Sequence, residues 1–333
     1  MSLRAPDQGG GWREPGCTVR LKAAFAGLVV VAAIAVGAGF VFRTTTLPAA
    51  EFAACYETAL VAPDRPLVVY HLGHSLVGRD MPAMLEQLAP GQTHASQLGW
   101  GASLRNHWTG DIAGFDAENA HPQFEPAEQA LTSGRFDTVI LTEMVEIQDA
   151  IAHHDSAQYL AKWTKRIRQA NPDTRVYLYE TWHPLDDPAG WLTRLDRDLG
   201  LFWEDELLRP AMAEKGVGTI YVIPGGQVMA AFVREIDAGN VPGMTRRDTL
   251  FGRNADGSQD QIHFNDLGAY LMALTHYAVL YEKSPVGLPF ALLRANGSPA
   301  DAPSPEVAHK MQEVVWKVVT GYRPTGVGRQ PEG

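Results

Sequence analysis

Leu67-Val68-Val69-Tyr70-His71-Leu72-Gly73-His74-Ser75-Leu76 is the stretch whose reading decides the fold. Its first six residues form a short apolar run rich in strand formers, bounded by Pro66 and by Gly73. A strand that reads as one continuous apolar run is covered on both faces, as in a parallel sheet between two layers of helices. Residues 138–141, 175–179 and 218–223 read the same way, and Ser96-Gln97-Leu98 reads as a strand end. Helical spacing fills the gaps: 81–89, 157–170, 191–214 with a break at Pro210, 227–237, 267–281 and 307–319. Strands separated by helices need crossover connections. The expected fold is therefore α/β, a three-layer α/β/α sandwich with a mainly parallel sheet. Ligands of such sheets sit beyond the carboxyl ends of the strands. Ser75 falls there, directly after the first strand.

Upstream, residues 23–42 read AAFAGLVVVAAIAVGAGFVF, twenty residues without a charge. At roughly 1.5 Å per residue that length crosses a bilayer core of about 30 Å. Arg4, Arg13, Arg20 and Lys22 precede the run and only Arg43 follows closely, so the N-terminus is expected inside and the rest outside. The expected organisation is a cytoplasmic tail (1–22), a transmembrane signal anchor (23–42), a tether (43–65) and a folded domain (66–325). A signal peptide cleaved near Pro48-Ala49-Ala50 is the competing reading. If the run spans the membrane, Cys17 and Cys55 lie on opposite sides and cannot bridge.

The chain has 333 residues, 45% of them hydrophobic, which suffices for one sizeable core. Its formal net charge of −10 argues against a nucleic-acid partner. It leaves small neutral substrates open.

Two segments carry chemistry. Ser75 stands at a strand-to-helix junction, after a glycine able to make a tight turn. Asp260-Gln261-Ile262-His263-Phe264-Asn265 stands nearly two hundred residues later, before a helix that Asn265 or Asp266 would cap. A serine hydroxyl is a weak nucleophile until a base takes its proton, and that base works best when a third group holds its ring. An aspartate three residues before a histidine suits the holding role.

In order and spacing these segments resemble the SGNH (GDSL-type) hydrolase family. There the serine follows the first strand and Asp-x-x-His precedes a C-terminal helix. The resemblance covers about residues 66–283 and implies a flavodoxin-like sandwich, Ser75 as nucleophile, and Asp260 and His263 completing the triad. It implies further that the N–H groups of Ser75 and of Gly101, in Gly99-Trp100-Gly101-Ala102-Ser103, hold the oxyanion. Two departures stand out. His74 replaces the family's usual aspartate before the serine. After Ile140-Leu141 the chain reads Thr142-Glu143-Met144-Val145-Glu146-Ile147-Gln148, without the family's asparagine. Gln148 or Asn106 could donate in its place. Glu143 cannot donate while ionised, and substrate recognition is its alternative task.

Other residues near strand ends are candidate substrate contacts: His74, Trp100, Glu143, Glu180 and Trp182, with Trp108 as a third ring for a carbohydrate subsite. His153-His154-Asp155 has metal-ligand residue types but no His-x-x-x-His partner, so no metal or other cofactor is expected. Gly225-Gly226 lacks a following Lys-Ser/Thr and reads as a turn into a helix.

The expected function is an extracytoplasmic esterase acting on small-molecule or glycan esters, held to the membrane by its N-terminal helix. An O-acyltransferase with the same triad, or a glycan-binding module without catalysis, are the alternatives.

Overall fold

The computed structural model describes residues 45–328, so the expected tail and spanning segment lie outside the described residues. Five strands form the central sheet: β1 (Val68–His74), β2 (Thr93–Gly99), β3 (Thr138–Thr142), β4 (Arg175–Glu180) and β5 (Tyr221–Pro224). All pairings are parallel and the order is β2-β1-β3-β4-β5. The chain leaves β1 for β2 on one side and returns to β3 on the other. The carboxyl end of β1 is therefore the point where the winding reverses and where such sheets open a crevice.

Helices cover both faces, and the alternation of side chains along the strands sorts them. Val69, Ile140, Tyr177, Tyr179 and Ile223 pack with the helices Asp80–Leu88, Gly225–Asp237, Asp266–Tyr281 and Pro305–Gly321. Tyr70, Leu72, Val139, Leu141, Val176 and Leu178 pack on the opposite face with the helix Ser156–Ala170. β3, central and five residues long, is buried throughout. The edge strand β2 is blunted by local partners. Glu86 accepts the His94 N–H, the 123–125 segment pairs with Ser96, and the Asn119 amide bonds both the N–H and C=O of Leu98.

Four expectations change. The expected tether, 43–65, packs on the folded domain from Leu47 onward. Phe52 and Tyr56 lie four apart around the helix Ala49–Ala54, both are buried, and the Tyr56 hydroxyl donates to the Ile220 carbonyl at 2.7 Å. Pro210 does not break its helix. Between Leu199 and Leu208 the backbone widens to i→i+5 bonding, and Arg209 N–H reaches Glu204 C=O. The missing proline N–H falls where this wider register returns to α. Gly225 and Gly226 open their helix instead of preceding it. A Cβ on Gly225 would lie 2.4 Å from the Tyr179 ring, and one on Gly226 2.3 Å from Glu180 Oε1. Close helix-to-strand approach requires glycine there. Finally, Asp260 and His263, expected only to stand before a helix, lie on a strand: β6 (Phe251–Arg253) and β7 (Gln259–Phe264) form an antiparallel hairpin. Among the described residues, no helix is long and apolar enough to cross a membrane.

Candidate active site

The end of β1 is pinned before it turns. His107 Nε2 bonds the Gly73 carbonyl at 2.9 Å, and His74 Nε2 bonds the Glu143 carbonyl at 2.8 Å. Both carbonyls can only accept, so each Nε2 carries the proton. His74 Nδ1 is then the acceptor for the Leu76 N–H at 3.3 Å. Burial lowers the pKa of each imidazole to about 4, so both are neutral at pH 7. Val77 and Gly78 turn their N–H groups back to the His74 carbonyl. Ser75 sits on that turn, between a fixed strand and the helix Asp80–Leu88.

The hairpin comes to meet it. His263 Nε2 is 2.9 Å from Ser75 Oγ, and His263 Nδ1 is 2.9 Å from Asp260 Oδ2. Asp260 Oδ1 accepts the N–H groups of Ile262 and His263, each at 2.9 Å. Burial alone would raise the Asp260 carboxyl. The two backbone donors and the His263 ring outweigh it and hold the pKa below the usual carboxylate range. An ionised Asp260 accepts Nδ1–H and leaves Nε2 as the acceptor for the serine proton.

Several contacts fix the hairpin. Trp182 Nε1–H donates to the Ile262 carbonyl at 2.9 Å, and Leu185 N–H to the Gln261 carbonyl at 2.8 Å. Asn265 caps the helix Asp266–Tyr281 through the N–H groups of Leu267 and Gly268, while its amide donates to the Thr249 and Phe251 carbonyls.

Around Ser75, backbone donors stand ready. Among the described residues, the Ser75 and Gly101 N–H groups donate to no protein acceptor. Gly101 has φ +55° and open space beside its Cα, so the turn presents bare backbone. Asn106 is partly committed. Its Oδ1 accepts from the Ser103 N–H and hydroxyl in a capping box, leaving only its NH₂ as a donor. Gln148 is half-buried in the first turn of the helix Ile147–His154.

Four expected substrate contacts lie inside the protein instead. His74 has both ring nitrogens engaged and no exposed surface. Glu143 is buried, with Oε1 accepting from the N–H groups of Leu104 and Met144, and burial raises its pKa to about 7. Glu180 is buried against the first turn of the helix Gly225–Asp237, accepting from the Gln227 N–H and side chain, with its pKa pushed up to about 8 by burial. Trp182 is 1% exposed and packs between Phe251 and Phe264. Trp108, the third ring, packs against Trp163 and Tyr159 beneath the Arg166 guanidinium.

Trp100 is the exception at 58% exposed. Its Nε1–H is held by Glu118 Oε1 at 2.7 Å, and its ring lies so close to Gly114 that a Cβ there would fall 2.3 Å from it. His154 turns to the Ser103 hydroxyl and Asp155 to Arg105.

Sequence reasoning missed Arg194, which is buried and binds Glu146, Asp187 and Asp198 together. It ties the segment after β3, which leads to Gln148, to the helix Trp191–Asp198. A lone arginine on an amphipathic helix carries no marker of such a role.

No family model matches the chain, and no curated protein does. Among solved structures it is similar to a DUF4886 family protein from Bacteroides uniformis. The two are 16% identical, with 77% of this chain and 95% of that chain aligned at a TM-score of 0.52. At that identity the likeness is one of fold. A gut microbial diltiazem-metabolizing enzyme aligns over 66% of this chain and 48% of its own at 16% identity. Its TM-score of 0.34 is too low to bear on function.

Proposed function

We propose that this chain is a serine acyl-ester hydrolase of the SGNH type, anchored in a membrane with its catalytic domain outside. The observation that carries this is the unbroken line from Ser75 Oγ through His263 to Asp260, two contacts of 2.9 Å each, at the winding reversal of a parallel sheet. Ser75 Oγ attacks the ester carbonyl while His263 Nε2 takes its proton. The carbonyl oxygen becomes an oxyanion facing the N–H groups of Ser75 and Gly101. Each such donor is worth about 3 kcal/mol in known acyl-transfer sites. His263 then passes the proton to the leaving alkoxide, and the acyl group stays on Ser75. A water attacks next, His263 takes its proton, and the carboxylic acid departs as Ser75 is restored.

Hydrolysis is favoured over transfer to a sugar hydroxyl by the openness of the base. The His263 side chain is 47% exposed, so the base stands open to solvent and water is an available acyl acceptor. The outward placement rests on the uncharged run 23–42 and its basic N-terminal flank.

Intact-mass spectrometry of the full chain after exposure to a fluorophosphonate tests the reading. One adduct on the folded protein and none on Ser75→Ala is expected. A folded, unlabelled wild type overturns it.

A further inference from the structure

A polar cleft of about 860 Å³ opens between the helix Asp80–Leu88, the segment 118–123 and the loop 293–297. One end lies on the turn that carries Ser75: Gly78, a lining residue, closes that turn by donating its N–H to the His74 carbonyl. At its other rim, Glu118 holds Trp100, the exposed ring next to Gly101. The cleft thus runs from the turn that carries Ser75 to the residue that holds Trp100.

Its side chains are fixed at one end and unspent at the other. Arg79 donates to the Ala117 and Glu118 carbonyls through one terminal nitrogen only. Glu86 receives both contacts from His94 on Oε1, and Glu118 receives Trp100 on Oε1. Asn296 uses Oδ1 for Ser298. Among the described residues, this leaves the other Arg79 nitrogens, Oε2 of both glutamates and the Asn296 NH₂ free to bond a ligand. The floor is rigid as well: Gln87 bonds both the N–H and C=O of Leu293, and Asp80 accepts the Ala295 N–H.

Donors and acceptors are interleaved, and the charges are mixed. Arg79 and Arg294 stand among Asp80, Glu86 and Glu118, so neither an anion nor a cation is favoured. The apolar lining, Leu293, Pro122 and the small side chains of Ala83, Ala120 and Ala295, is interrupted by charged and amide groups and offers an acyl tail no continuous patch. A hydroxyl group both donates and accepts, so a chain of hydroxyls matches this wall.

We infer that the cleft binds the alcohol side of the ester, as a neutral polyhydroxylated chain such as an oligosaccharide, with Trp100 beneath the sugar ring nearest the scissile bond. The orientation rests on the ester-hydrolase reading; the binding does not.

Titration calorimetry of the full-length Ser75→Ala chain with neutral tetrasaccharides (xylo-, cello-, malto- and chito-series) tests it. At least one is expected to bind with millimolar or tighter affinity, and Gln123→Ala or Asn296→Asp to weaken that binding fivefold or more. No binding across the series, or binding that both substitutions leave unchanged, overturns the inference. Fluorophosphonate labelling of the wild type is read in parallel. Labelling without sugar binding removes the cleft assignment and leaves the hydrolase. Sugar binding without labelling leaves the cleft and removes the hydrolase.

Discussion

The Trp182 indole donates its Nε1–H to the carbonyl of Ile262 at 2.9 Å, one residue before the histidine that reaches Ser75. Trp182 follows β4, so this bond transfers the rigidity of the central sheet to a short hairpin that has only one strand partner of its own. Trp182→Phe keeps most of the packing and removes the donor. The unpaired Ile262 carbonyl then costs about 1–3 kcal/mol, felt first in the hairpin. The expected result is a small drop in melting temperature with roughly tenfold slower fluorophosphonate labelling of Ser75. Trp182→Ala empties the site and costs about 3–5 kcal/mol in chemical denaturation. Equal effects of Trp182→Phe on folding and labelling would show that the tryptophan only packs.

Asp260 accepts three N–H groups, two from backbone and one from His263 Nδ1. Asp260→Asn keeps an oxygen for the backbone donors and sets an NH₂ group against the imidazole N–H. His263 must then protonate Nε2 to find a partner for Nδ1, and a protonated Nε2 cannot take the serine proton. A fall in labelling rate of about 10³-fold or more is expected with near-native stability, by analogy with serine hydrolases that lose this aspartate. A loss below tenfold would argue that Asp260 serves the hairpin and not the base.

The parallel sheet and the meeting of the Ser75, Asp260 and His263 segments were readable from the sequence because both signals are local. Apolar runs mark buried strands, and an aspartate three residues before a histidine marks an orienter. Direction was not readable. β3 and β4 are buried on both faces, so the alternation that tells inside from outside is erased. Glu143 and Trp182 follow such strands, Glu180 ends one, and all three stand where site residues are expected; burial decides that they are supports. The same holds for His74, buried one position before the partly exposed Ser75. The hairpin was hidden because β6 has three residues and β7 reads as mostly polar, Gln259-Asp260-Gln261-Ile262-His263-Phe264. Its stability comes from Trp182, Leu185 and Asn265, which are distant or outside the strand. Pro210 misled because the rule against proline assumes α spacing, and the wider turn before it removes the clash.

Arg194 faces three carboxylates from two parts of the chain, at 2.7–2.8 Å. Arg194→Met leaves Glu146, Asp187 and Asp198 without a shared counter-charge in a largely buried place. Breaking a buried ion pair in this way costs about 3–5 kcal/mol. Arg194→Lys is expected to recover little, because an ammonium cannot reach three carboxylates with the geometry of a planar fork. Urea denaturation of the two variants checks this. A cost below 1 kcal/mol for Arg194→Met would mean the carboxylates are solvated in solution.

The buried acids and imidazoles impose opposite pH slopes. His74, His107 and His276 each have a folded pKa of about 4, lowered by burial from 6.5. Between these values the unfolded chain binds more protons, so stability falls as the pH drops from 6.5 toward 4. Glu143 and Glu180 have folded pKa values of about 7 and about 8, raised by burial from 4.5. Here the folded chain binds more protons, and stability falls as the pH rises from 4.5 to those values. The two sets oppose each other below pH 6.5. Above it the histidines are neutral in both states and only the glutamates act, Glu143 to about pH 7 and Glu180 to about pH 8. Unfolding free energy is therefore expected to peak near pH 6.5 and to decline toward pH 8, by at most about 1.4 kcal/mol per pH unit for each group. Glu180→Gln should flatten that decline over its whole length, and Glu143→Gln only its first part. Urea titrations at pH 5.5, 6.5, 7.2 and 8.0 read both limbs. A Glu180→Gln curve parallel to the wild type above pH 6.5 would show that this carboxyl is already ionised in the fold.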